Sequence, residues 1–110
     1  MFEQLIEEVV SSNLYPQLIQ QLQKDIHRAG IEHTIGDQLN PKELFLNIEN
    51  LLFEKLNNAF NEYLNLLYAV DVSEKAVRNF QSEDSLDISQ YTTYLILKRE
   101  WQKIYYRNKL

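Results

Sequence analysis

Glycine stops at Gly36: it and Gly30 are the only two in the chain, and the 74 residues that follow contain none. Glycine supplies positive φ and close backbone approach. A chain without it is poor material for tight hairpins, for a Walker loop or for a G-x-G-x-x-G turn. The two prolines, Pro16 and Pro41, fall just inside expected helix starts, where a missing N–H costs nothing. The pattern predicts an all-α fold that lacks the loop chemistry of most familiar enzymes.

The apolar spacing divides the chain further. Phe2, Leu5, Ile6, Val9 and Val10 mark a short first helix, interrupted by Ser11-Ser12-Asn13. A second runs from about Pro16, with Leu18, Ile19, Leu22 and Ile26 on one face and Gly30 placed to close it. Residues 31–40 read as a loop, and Ile31, His33 and Ile35 allow a short extended piece there. Asn40-Pro41-Lys42-Glu43 is a strong start signal. It opens a third helix expected to run to about Ala69, whose apolar arc covers about half the wheel and requires neighbours on two sides. Ser73 is expected to cap a short fourth helix through Phe80, with Val72 and Val77 as its staple. Asp87-Ile88-Ser89-Gln90 reads as a capping box for the last helix, expected to end near Arg107. The expectation is one domain over residues 1–110, a compact bundle of four to five helices with a long central third helix.

At 110 residues and 45% apolar composition, the chain is large enough to bury about two-thirds of its unfolded surface. No apolar run approaches the ~20 residues that span a bilayer. The acidic beginning, Met-Phe-Glu-Gln-Leu-Ile-Glu-Glu, reads as a folded element with no basic export signal, so a cytoplasmic location is expected. The absence of cysteine removes disulfides, cysteine metal sites and a cysteine nucleophile together. Residues 1–97 carry 15 acidic and 6 basic side chains, whereas residues 98–110 carry Lys98, Arg99, Lys103, Arg107 and Lys109 against Glu100 alone. An acidic body with a basic last segment argues against general binding of nucleic acid or anionic lipid.

Tyr63-Leu64-Asn65-Leu66-Leu67-Tyr68, followed by Asp71-Val72-Ser73-Glu74 and a basic C-terminal helix, resembles a pattern in small uncharacterised bacterial helical proteins. The resemblance spans about half the chain. It implies no known activity and assigns no functional residue.

Arg99, Lys103 and Arg107 recur at i, i+4 and i+8, with Tyr106 beside them. On the wheel this ridge turns away from Tyr94, Leu97, Trp101 and Ile104 and is expected to be solvated. It is either a docking strip for an acidic partner or phosphates, or a cationic helix end matched to the dipole and the acidic body. Asn47, Asn50, Asn57, Asn58, Asn61 and Asn65 form an amide face on the third helix. That face either packs against another surface or reflects compositional bias. Glu49 projects into the apolar arc near Phe45 and Phe53, where burial can raise a carboxyl pKa, but no second catalytic group accompanies it. His27, and His33 near Glu32 and Asp37, lack the H-E-x-x-H or E-x-x-H spacing of a metal site. Trp101, with Tyr91, Tyr94 and Tyr105, is expected in the core or at a subunit interface.

These readings point to a non-enzymatic interaction or regulatory protein acting through helix faces, without catalytic residue, cofactor or metal. Arg99, Lys103, Tyr106 and Arg107 are the candidate contact residues. The expected partner is a protein or a second copy, with no membrane involved. A nucleic-acid-associated role for the basic last helix is the alternative.

Overall fold

A computed structural model describes residues 2–36 and 38–109. Among them are six helices and no strand: α1 (Phe2–Ser11), α2 (Tyr15–Arg28), α3 (Pro41–Asn58), α4 (Phe60–Val70), α5 (Glu74–Arg78) and α6 (Ser85–Lys109). α3 and α6 form the most extensive pairing, α2 packs on both α4 and α6, and α1 and α5 lie against α6. Leu22, Ile26, Leu44, Ile48, Leu52, Leu66, Leu67, Ile96 and Ile104 fill the centre without exposed surface or nearly so. Truncating any one of these to alanine costs ~2–5 kcal/mol.

Several ends follow from their sequence. The Asn40 side chain accepts from the Glu43 N–H, and the Glu43 carboxylate accepts from the Asn40 N–H, both at 2.9 Å. Gly30, at φ +81°, closes α2: its N–H donates to the His27 carbonyl and the Ile31 N–H to the Ile26 carbonyl. Asp71 makes the same closure for α4 at φ 74°, with the Val72 N–H donating to the Leu67 carbonyl. A residue with a Cβ pays ~1–2 kcal/mol for that left-handed conformation.

The third helix departs from expectation. It does not run unbroken from Pro41 to Ala69 but divides at Ala59, whose φ and ψ are −150° and 66°. Ala59 still donates to the Lys55 carbonyl, while its own carbonyl accepts from Glu62 and Tyr63 and starts α4. The half-wheel arc is thereby split. Leu44, Ile48, Leu51 and Leu52 are buried on α3, and Tyr63, Leu66, Leu67 and Val70 on α4. α3 packs mainly on α6, whereas α4 packs on α2 and on α3 itself, which two halves of one straight rod cannot do. Asn57 and Asn58, mediocre helix formers, precede the break. This division makes six helices of the expected four to five.

The last helix also starts elsewhere. Asp84 caps it, its Oδ1 accepting from the N–H groups of Leu86 at 2.7 Å and Asp87 at 3.3 Å. The Asp87–Gln90 box is unused: Asp87 lies inside the first turn and accepts from the Ser82 hydroxyl at 3.3 Å, while the Gln90 amide donates to Glu49 at 3.4 Å. Ser73 precedes α5 without a side-chain cap bond. Residues 31–35 form no strand, although Ile31 and Ile35 are buried. Gln23 holds them, donating to the His33 carbonyl and accepting from the Ile35 N–H, both at 2.7 Å.

Candidate functional site

A polar cluster lies inside the apolar seam between α2 and α6. Asp25 follows Leu18 and Leu22 on the inner face of α2, and Glu100 follows Ile96 and Leu97 on that of α6. Neither side chain has exposed surface. Lys103 places its Nζ 2.8 Å from Asp25 Oδ2 and also pairs with Glu100 Oε1. Arg28 Nη1 donates to Asp25 Oδ1 at 3.0 Å. The Gln21 amide nitrogen donates to the same carboxylate at 3.2–3.3 Å, while its oxygen accepts from Arg107 Nη2 at 2.9 Å.

The two carboxyls divide one proton. Among the described residues neither Glu100 oxygen has a hydrogen-bond partner, although the Lys103 ammonium lies beside Oε1. Burial, then the neighbouring Asp25 carboxylate, pushes the Glu100 carboxyl up to about 8, against the pull of Lys103. For Asp25, burial alone would raise the pKa, but the neighbouring Glu100, Lys103 and Gln21 outweigh it and hold the group below its ordinary value. At neutral pH Glu100 is therefore the protonated member beside ionised Asp25.

This cluster corrects the expected ridge on the last helix. Arg99, Lys103 and Arg107 do not form one solvated row, because α2 lies alongside and draws the middle cation in. Lys103 is only 18% exposed. Arg99 is turned to Asp71 at 2.9 Å. Arg107 is exposed and bonded to the neutral Gln21 amide. Tyr106 is 62% exposed, edge-on to Tyr105. Across the seam α2 adds Lys24 and Arg28, both exposed. Beside the cluster, a concavity of about 310 Å³ is lined by Gln17, Gln20, Gln21, Lys24, Ile104, Arg107 and Asn108.

The other candidates have local partners. Glu49 is 6% exposed and accepts from Gln90 at 3.4 Å. The His33 ring meets Asn47 Oδ1 at 2.7 Å, and the Gln23 amide nitrogen lies 3.1 Å from His27 Nε2. Among the described residues no three His, Asp or Glu side chains converge as metal ligands; Asp37 lies outside those residues. The expected asparagine face is divided, because Asn61 and Asn65 fall on α4; Asn57 donates to the Phe53 carbonyl of its own helix, and Asn65 donates at 3.5 Å to the Ala29 carbonyl. Trp101 is 6% exposed and donates to Glu8 at 3.1 Å. With Tyr94, Tyr105 and Tyr106 it lines a groove of about 610 Å³ between α1 and α6. No helix among the described residues is long and apolar enough to cross a membrane.

Sequence reasoning passed over Asp25 and Glu100, though both carried a signal. Each occupies an apolar-phase position of its helix, the pattern that singled out Glu49. Compared with known proteins, the chain matches no protein family, no curated protein and no solved structure.

Proposed function

We propose that this chain is a small non-enzymatic interaction protein that docks an acidic protein segment at the C-terminal part of α6, where α2 lies beside it. The observation that carries this reading is Arg107. Its guanidinium is oriented by a bond to Gln21 Oε1 at 2.9 Å, yet that partner is a neutral amide. Lys24, Arg28, Lys103 and Arg107 surround a seam in which Asp25 is the one ionised carboxylate, since Glu100 keeps its proton. Such a surplus attracts anions. Residues 1–97 carry nine more acidic than basic side chains, which disfavours a long phosphate backbone extending past the site. A protein can instead present a local acidic patch.

Exposed Tyr106 beside Arg107 supports a second reading, single-stranded nucleic acid, because rings stack on bases. Titrating the protein with an oligoglutamate peptide and with single- and double-stranded oligonucleotides near physiological salt separates the two. The expected result is saturable peptide binding that weakens with added salt. Sub-micromolar oligonucleotide binding, lost on Tyr106→Ala with Arg107→Glu while helix content is unchanged, reverses the order.

A further inference from the structure

We propose that the concavity between α2 and α6 receives one side-chain carboxylate of the acidic segment, held jointly by Lys24 and Arg107. This assignment rests on the docking reading above and gives it a defined point of contact. The lining of this 310 Å³ concavity has one sign: two cations, the amides of Gln17, Gln20, Gln21 and Asn108, one apolar contact in Ile104, and no carboxylate. No hydrogen bond or ion pair within the described residues engages the Lys24 ammonium.

The second argument is preparation. Gln21 is 8% exposed and fixed at both ends of its amide. Its nitrogen donates to Asp25, which leaves its oxygen turned toward Arg107. Asp25 is in turn held by Lys103 and Arg28. The buried carboxylate thus orients the guanidinium through the amide without neutralising it. One guanidinium nitrogen is committed, and the remaining donors keep the planar fork that suits a carboxylate. Lys24 lies one helical turn beyond Gln20 and Gln21 and supplies a second charge. Gln21 is a positioning residue, acting through Arg107.

The test is an NMR titration of the whole chain with an oligoglutamate peptide, reading the side-chain amides of Gln17, Gln20 and Asn108 and the Arg107 guanidinium. These signals should shift saturably. Lys24→Ala and Arg107→Ala should each weaken binding about tenfold, the scale of one charge-assisted hydrogen bond. Gln21→Leu, which keeps both cations, should weaken it comparably while the tryptophan emission remains native. Shifts centred on Arg99 and Lys98, with Lys24→Ala and Arg107→Ala binding normally, overturn the carboxylate site and leave the docking reading standing. Inorganic phosphate displacing the peptide far more readily than acetate overturns the choice of carboxylate. A peptide that shifts no signal removes the docking reading and this site together.

Discussion

Asp25 and Glu100 bring two carboxyls with no exposed side-chain surface together across the α2–α6 seam, and the pair carries one proton. In the folded protein the Glu100 pKa lies at about 8, against 4.5 for the free group. Between those values the unfolded chain releases a proton that the folded chain keeps, so stability falls as pH rises. The Asp25 shift is opposite in sign: its contribution is present above 3.8 and is lost as pH falls toward its lowered folded value.

Glu100→Gln separates the two effects. Glutamine keeps the size and neutrality of the protonated side chain and does not titrate. Thermal melts across the window from 4.5 to about 8 should show Tm falling in the wild type and a much flatter profile in the variant. Equal slopes in the two proteins contradict the shared proton.

Lys103 tests the departure from a solvated ridge. Replacing a solvated helix lysine by methionine changes stability by less than ~0.5 kcal/mol. Here Lys103→Met strips a largely buried cation from Asp25, and breaking a buried pair costs ~3–5 kcal/mol. Denaturant unfolding should give a value near the lower end, because Arg28 and Gln21 stay on the carboxylate. A change under ~0.5 kcal/mol supports the ridge.

Gln23 should govern the segment after α2. Its amide satisfies the His33 carbonyl and the Ile35 N–H, and leaving such groups unpaired costs ~1–3 kcal/mol. In Gln23→Ala, hydrogen exchange at Ile35 should accelerate while Leu66 and Leu67 on α4 stay protected. Unchanged protection at Ile35 means the buried isoleucines hold the segment alone.

Trp101 anchors α1 to α6 through its ring and its bond to Glu8. Trp101→Ala should cost ~3–5 kcal/mol. The native emission should be blue-shifted and poorly quenched by iodide; red-shifted, readily quenched emission contradicts its burial.

The helical class was legible because its signals are local. The Asn40–Glu43 box, the Gly30 stop and the burial of Trp101 each depend on a few neighbouring residues. The break at Ala59 was not, because helical spacing continues through Leu56, Phe60 and Tyr63, and the packing of α4 on α2 and α3 is not written in that spacing. Asp84 displaced the Asp87 box because Asp84 takes the Leu86 and Asp87 N–H groups, while Gln90 is drawn to Glu49 on α3, 41 residues earlier. The site was half legible. Arg107 and Tyr106 are exposed as their spacing implies, but the inward turn of Lys103 depends on Asp25, 78 residues earlier, and periodicity within one helix carries no record of it.

The claim that the α2–α6 seam is an anion-docking surface is tested most directly by charge reversal. Affinity of a fluorescent oligoglutamate peptide, measured by anisotropy near physiological salt, should fall beyond detection in the Lys24→Glu, Arg107→Glu double variant, with helix content unchanged. Binding by that variant as tight as wild type contradicts the account.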